Sequence, residues 1–264
     1  EGMLHGRIVR PRGQGAYRDG VQVASINEAS IAHLPGARVV RKANFVGVVA
    51  PREWDAVQAA QQLEISFTQP ASLPGNANLF AQMQNASTTD RVTREEGDVS
   101  AFATAAVKTE FAATGPYQSH VPFAPNCALA DVNANSALVL CSSQDIYGTR
   151  TNVSALLGLE PDQVRVQYHE GAGTFGHSCW DDVAQAAALM SQLVGAPVRV
   201  QFMRWDEHGW DTYGPAHVGK MRASCDNAGK LVSYEYEGWQ HHWSLIETTM
   251  QTANAVPASE WPSM

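Results

Sequence analysis

The sequence predicts an α+β fold, and three observations carry that prediction. Short runs of alternating or wholly apolar residues recur along the chain, each closed by Gly, Pro, Asn or Asp, which is the pattern of half-buried or buried strands. Two alanine-rich stretches carry apolar residues at helical spacing instead. With 44% hydrophobic and 17% charged residues among 264, the chain has apolar material for one large core or two modest ones.

Strand patterns come first, over 6–10, 21–26, 37–40 and 45–50. After Pro51 the spacing turns helical over 53–63, with Trp54, Val57, Ala60 and Leu63 expected on the packed side, and 64–67 reads as a strand again. Residues 1–68 thus form a small α/β module. Residues 69–100 are polar and rich in breakers such as Pro70, Pro74 and Gly75, and are expected to be a linker. The second region, 101–264, resumes with strands over 102–111, 128–132 and 137–143, a helix over 146–157 ended by Gly158, and a strand over 163–168. A glycine-containing turn, 170–176, leads into the second alanine-rich helix over 179–194, closed by Gly195 and Pro197. Strands over 198–202 and 230–236 follow, and no repeat of fixed period is present.

Charge and length exclude several classes of function. Eighteen Lys and Arg against 26 Asp and Glu give a net charge of -8, so there is no basic field for a phosphate backbone and nucleic acid is not an expected partner. No apolar run approaches the roughly 20 residues of a membrane helix, and residues 1–10 lack the apolar core of a signal peptide. Because the chain opens on Glu1, its compartment, cytoplasm or periplasm, stays open. Cys127, Cys141, Cys179 and Cys225 form no C-x-x-C pair, so any iron–sulfur cluster is expected on another polypeptide and these thiols are expected to be packed.

The turn Gly171-Ala172-Gly173-Thr174-Phe175-Gly176 is the sharpest local signal, since small residues at a strand-to-helix junction let main-chain NH groups approach a ligand closely. It matches G-x-G-x-x-G, which keeps a nucleotide-dependent oxidoreductase as one alternative, although no acidic residue stands where a ribose ligand belongs. Ser178 lies in a near nucleophile elbow, but Trp180 replaces the second glycine. Cys179 with His169 or His177 makes a formal thiolate–imidazole pair that spacing alone does not establish. No H-E-x-x-H occurs, and His241-His242 is an isolated pair, so no metal ligation by side chains is expected. Trp205, Trp210 and Tyr213, or Trp239 and Trp243, are candidates to line a pocket for a flat substrate or to pack between domains.

Read in order, several segments resemble the molybdenum-cofactor-binding large subunit of the xanthine dehydrogenase/aldehyde oxidase family. The likeness is to the bacterial branch of isoquinoline and nicotinate oxidoreductases and cytochrome-linked aldehyde dehydrogenases. The segments are Gly2-Met3-Leu4-His5-Gly6-Arg7-Ile8-Val9-Arg10-Pro11, 45–50 running into the helix with Trp54, and Gly115-Pro116-Tyr117-Gln118-Ser119-His120-Val121-Pro122. Ser142-Ser143-Gln144, Leu156-Leu157-Gly158-Leu159, the Gly-Thr-Phe-Gly turn and 197–204 complete the series.

The resemblance implies a hammerhead-like α/β domain over 1–68 and the N-terminal part of a molybdenum-cofactor-binding α+β domain over 101–264. It implies a molybdenum–pterin cofactor, molybdopterin or its cytosine dinucleotide, with Gln144, Gly173, Thr174, Phe175 and Gly176 beside it. It also implies iron–sulfur clusters on a partner small subunit, a cytochrome as a further candidate acceptor, and oxidation of aldehydes or hydroxylation of N-heteroaromatic compounds with water as oxygen source. The chain departs from the family pattern at Ala172 and Thr174 in the turn, at Ala124, where a glutamate commonly precedes Pro125, and at Cys179. Cys179 occupies the position of the glutamate that binds substrate in purine-oxidising members, so a less polar substrate is expected there. The catalytic glutamate of the family lies in a later stretch, and none of Glu170, Glu207, Glu235, Glu237, Glu247 and Glu260 stands in such a setting. No catalytic base is therefore assigned, and the remaining segments of the molybdenum subunit are expected to complete the catalyst. A cofactor-free binding or assembly module of the same fold is the second alternative.

Overall fold

A computed structural model describes residues 2–11, 22–68, 75–98, 100–177, 183–210 and 213–240. In chain order the elements are β1 (Leu4–Ile8), β2 (Val23–Asn27), β3 (Arg38–Lys42), β4 (Phe45–Ala50), α1 (Glu53–Gln62), β5 (Glu64–Phe67), α2 (Leu79–Asn85), α3 (Ala101–Thr104), β6 (Val107–Gly115), β7 (Cys127–Asn133), β8 (Ser136–Cys141), α4 (Ile146–Leu157), β9 (Val164–Tyr168), α5 (Val183–Val194), β10 (Val198–Gln201), α6 (Arg204–His208), β11 (His217–Cys225) and β12 (Leu231–Gln240). The α+β class expected from the pattern is the class observed.

Two compact units do not follow the 1–68, 69–100, 101–264 division expected from the sequence. The described residues up to 68 join those of 119–210 in one unit, and 75–118 with 213–240 make the other. The reason is strand pairing. In the first unit a seven-stranded sheet runs β3-β4-β1-β10-β7-β8-β9, so the N-terminal strands continue directly into those of the second region. The junction is parallel, Leu4 meeting Val198 and Gly6 meeting Val200.

Burial explains the strand sequences. β4 is buried along its whole length because both of its faces are covered, which is why it reads as an uninterrupted apolar run. Val46 and Val48 pack with Val9, Ala59 and Leu63 beside α1, while Phe45 and Val49 pack in the larger core beneath α4 and α5. The small residues serve close approach: Ala184, Ala186, Ala187 and Ala188 of α5 and Ala128 and Ala130 of β7 are all buried in that core. Helix α4 starts at Asp145, whose carboxylate accepts from Gly148 N at 2.9 Å, and stops at Gly158, left-handed with φ 71°.

Three expectations need correction. Trp54 is 60% exposed, because α1 packs through Ala56, Val57 and Ala59 and leaves the tryptophan of its first turn outside. The stretch 69–100 is not all linker: α2 lies there, and its Met83 packs on Ala216 and Val218, partners too distant in sequence to be read from local pattern. The strand expected over 102–111 is the short helix α3 followed by β6, which runs on to Gly115. The helix expected over 179–194 is described from Val183.

The second unit is a three-stranded antiparallel sheet, β12-β11-β6. One row across it is Glu110, Arg222 and Glu235, with Arg222 paired to Glu235. The opposite face carries Val107, Phe111, Tyr234 and Tyr236, each more than half exposed, and the Tyr236 side chain lies over Gly219 and Gly238, where a Cβ would come within 3.2 Å of its ring and 2.9 Å of its hydroxyl oxygen respectively.

Candidate functional site

The sheet directions gather four loops at one end of the first unit. β8 and β9 are parallel, with Cys141 beside Tyr168, so the loops that leave their carboxyl ends emerge together. β7 runs against β8, which brings the segment entering Cys127 to the same end, and β10 runs against β7, so the chain leaving Gln201 emerges there too. Segments 119–126, 142–145, 169–177 and 202–208 therefore converge at the carboxyl ends of parallel strands, the place where α/β sheets bind ligands.

The turn 169–177 is built on glycine. Gly173 and Gly176 have φ of +83° and +108°, conformations that L side chains rarely adopt. Space is equally restrictive, since a Cβ on Gly171 would stand 2.8 Å from Ser142 Cβ and one on Gly176 would stand 3.0 Å from the His120 ring. The turn is tied to its neighbours by His169 N donating to Cys141 O at 2.8 Å and Phe123 N donating to Ala172 O at 3.3 Å. Two of the four described non-glycine residues with positive φ lie in these loops, Val121 at 37° and Phe175 at 53°. Backbone strain of this kind collects at ligand sites. The Phe175 ring, 61% exposed, meets the Phe123 ring, 84% exposed, edge to face at 5.6 Å.

Of the residues singled out from sequence, Gln144, Gly173, Thr174, Phe175 and Gly176 all stand in these converging loops, Gln144 exposed just before the α4 cap. Cys179, Ser178 and the pair His241-His242 lie outside the described residues. His169 and His177 are separated in environment: His177 is 5% exposed and His169 is on the surface. Among the described residues Cys127, Cys141 and Cys225 form no disulfide, and burial raises the Cys127 pKa. Trp205 and Trp210 line a cavity of about 470 Å³ with Arg7, Arg10, Gln61 and Met203, to which none of the segments 119–126, 142–145 and 169–177 contributes. Arg10 lies over the Trp210 ring there, 4.6 Å from its centroid.

Sequence reasoning missed the group that joins the loops. The Glu207 side chain, 2% exposed, accepts from Arg204 Nη1 at 2.8 Å and from Asn126 N at 2.9 Å, and its Oε1 is 3.8 Å from His177 Nε2. Arg204 Nη2 donates onward to Pro122 O at 2.8 Å and Phe123 O at 3.3 Å. The one signal in the sequence was the i,i+3 spacing of Arg204 and Glu207 on a helix. α6 itself is held by Asp206, which reaches back to accept from Met203 N at 3.0 Å.

These groups suit a flat, polar cofactor gripped by main chain, an exposed carboxamide and aromatic edges. Among the described residues no three His, Cys, Asp or Glu side chains are placed to hold a metal ion.

Residues 81–256 match the molybdopterin cofactor-binding domain family. The chain is 34% identical over 241 residues to one of the subunits of the nicotinate dehydrogenase of Pseudomonas putida, covering 89% of this chain and 20% of that protein. It is 31% identical over 140 residues to the aldehyde oxidoreductase molybdenum-binding subunit PaoC of Escherichia coli K12, covering 53% of this chain and 19% of that one. The chain thus spans about a fifth of the length of these curated relatives. The aldehyde oxidoreductase of Desulfovibrio gigas shares the fold, with a TM-score of 0.71 at 16% identity over 90% of this chain and 31% of that one. With two thirds of its length inside that domain and relatives named for both nicotinate and aldehyde oxidation, the chain belongs to the molybdopterin cofactor-binding domain family, of the xanthine dehydrogenase type.

Proposed function

We propose that the loops beyond β8, β9 and β10 hold a molybdenum–pterin cofactor. We infer further that the protein containing this chain oxidises aldehydes or hydroxylates N-heteroaromatic compounds, with water as oxygen source, and passes the electrons to an iron–sulfur partner. The observation that supports this reading most is the convergence of Gln144 with a turn whose Gly173 and Gly176 adopt left-handed φ, at the carboxyl ends of parallel strands. When bound, the cofactor supplies two-electron redox chemistry that side chains do not offer.

This chain's residues bind and orient. At Gly173 and Gly176 the main chain is open to close approach by the ligand because neither residue carries a Cβ. The Gln144 carboxamide offers both a donor and an acceptor. The Phe123 and Phe175 rings, exposed in this chain, are suited to exclude water around a flat substrate. Cys179 at the position of the purine-binding glutamate leaves the polar edges of a purine without partners, at a desolvation cost that aldehydes and pyridine-type rings avoid, so aldehydes are favoured over xanthine. The relatives named for nicotinate and aldehyde support the same substrate range. The base, the remaining cofactor contacts, the iron–sulfur subunit and any cytochrome belong to polypeptide outside these 264 residues.

The test is to purify the native protein with its partners, measure molybdenum and pterin per polypeptide, and assay aldehydes, pyridine-type rings and xanthine with an artificial electron acceptor. Stoichiometric molybdenum and pterin with aldehyde or pyridine turnover are expected. An active, intact preparation free of both would overturn the cofactor reading, and faster turnover of xanthine would overturn the substrate reading.

A further inference from the structure

One buried carboxylate and its guanidinium, both on the 202–208 segment, touch two of the other three loops that make the candidate site. Glu207 holds Asn126 through its main-chain NH and lies against His177 at the end of the turn, while Arg204 holds the carbonyls of Pro122 and Phe123. Those loops contain the strained residues Val121 and Phe175. Left-handed non-glycine backbone costs roughly 1–3 kcal/mol per residue and persists only where the surroundings over-determine it. No regular secondary structure imposes these conformations on 119–126 or 171–176; three main-chain bonds, Phe123 N to Ala172 O at 3.3 Å, His177 N to Thr174 O at 2.9 Å and Phe202 N to Asn126 O at 2.9 Å, restrain them together with the side chains of Glu207 and Arg204. A buried carboxylate is tolerated because it is paired, and here its pairing goes to loops rather than to the sheet.

We propose that Glu207 is a positioning residue for the cofactor site: through Arg204, Asn126 and His177 it fixes the 122–126 loop against the 171–177 turn, so that the Phe175–Gly176 main chain is shaped before the cofactor arrives. The proposal rests on the cofactor reading above for its purpose, and on the geometry alone for its effect on the loops. In Glu207→Gln the size is kept, but one carboxylate oxygen becomes an NH₂ facing donors of Arg204 or Asn126. The link between the loops is then lost without a cavity.

The experiment compares the complete holoprotein with its Glu207→Gln and Arg204→Lys variants by hydrogen exchange, and measures molybdenum and pterin per polypeptide in the same preparations. Arg204→Lys keeps a cation beside Glu207 but lacks the fork that reaches both carbonyls. Exchange in 122–126 and 172–177 is expected to speed up about tenfold or more while amides of β7, β8 and β10 are unchanged, with molybdenum and pterin content falling several-fold in parallel. Unchanged exchange in both loops, acceleration spread evenly across the sheet, full cofactor content in Glu207→Gln, or failure of both variants to fold would overturn the proposal. If the native protein itself holds no molybdenum or pterin, the cofactor reading falls, and the exchange pattern still decides whether Glu207 shapes the loops.

Discussion

Replacing Gly47 by Ala tests the packing between β4 and α5. A Cβ at Gly47 would stand 2.8 Å from Met190 Cε, 3.1 Å from Met190 Sδ and 3.1 Å from Arg7 O, all inside normal contact. Met190 is fully buried and its neighbours Leu189 and Ala188 are too, so the thioether has no free space to swing into. Overpacking of this kind costs about 1–3 kcal/mol. Gly47→Ala is expected to cost about 2 kcal/mol, which lowers Tm by about 4–8 °C for a chain of this size. Met190→Ala alone costs about 2–5 kcal/mol through lost contacts and the cavity left behind. In the double variant the new methyl enters the space that Met190 vacates, so the pair should cost less than the two single changes together by about 1–2 kcal/mol. Gly6→Ala is the control. Its Cβ would meet Val200 Cγ2 at 2.9 Å and Val198 Cγ1 at 3.0 Å as well as Met190 Cε at 3.0 Å, and stiff β-branched neighbours keep most of that clash when Met190 is gone. Thermal and urea unfolding of the four Gly47 and Met190 forms, and of Gly6→Ala with and without Met190→Ala, measure the coupling. Strictly additive costs for Gly47 and Met190, or equal rescue at Gly6, would refute the reasoning.

Further outcomes follow from other contacts. Ser191 is fully buried, and its hydroxyl accepts from Val132 N at 3.0 Å and donates to Ala196 O at 2.9 Å, so Ser191→Ala should destabilise by about 1–3 kcal/mol in urea titrations, with Ser191→Thr no substitute in so tight a site. Glu53 bridges Arg7 at 2.8 Å and Arg199 at 2.9 Å, and the hydrogen bond from Arg7 holds its carboxyl below the usual range. A carboxyl lowered on folding adds stability that is fully present above its unfolded value of roughly 4.3 and is lost as pH falls through the folded value. Urea midpoints measured from neutral pH down to acid should therefore fall less steeply in Glu53→Gln than in the native chain. Gly158→Ala should cost about 1 kcal/mol through its left-handed φ alone, because a Cβ there meets no atom within 4 Å; a melting curve with unchanged Tm would contradict that.

What the sequence made legible was whatever its own neighbours decide. β4 and α4 could be bounded to the residue from an apolar run between Asn44 and Pro51 and from Asp145 and Gly158 at the helix ends. β11 escaped, because Lys220 and Arg222 alternate with Gly219, Met221 and Ala223 in a segment of weak strand propensity, and it is a strand because β6 and β12 pair along it on both sides. α6 escaped for the same reason, being a five-residue turn of helix held by Asp206 and Glu207. The small residues of 171–176 marked the turn, and only the ordered likeness along the chain suggested Gln144 as its companion, in a loop that the parallel strands β8 and β9 bring to the same end. Glu207 stayed hidden because nothing local separates a carboxylate that joins three loops from one in water: its partners, Asn126 and His177, are far away in sequence.

The order of strands in the seven-stranded sheet also sets when the chain can fold. β3-β4-β1 and β7-β8-β9 are each assembled from strands close in sequence, but only β10 joins them, with Val198 meeting Leu4 on one side and Ala130 on the other. Until residue 201 has left the ribosome, β1 and β7 are both open edges flanked by apolar side chains, and closing them carries the loop-entropy cost of nearly two hundred intervening residues. Folding of this unit should thus be late and slow compared with the hairpins it contains, and the nascent half-sheets are the surfaces that chaperones would be expected to shield.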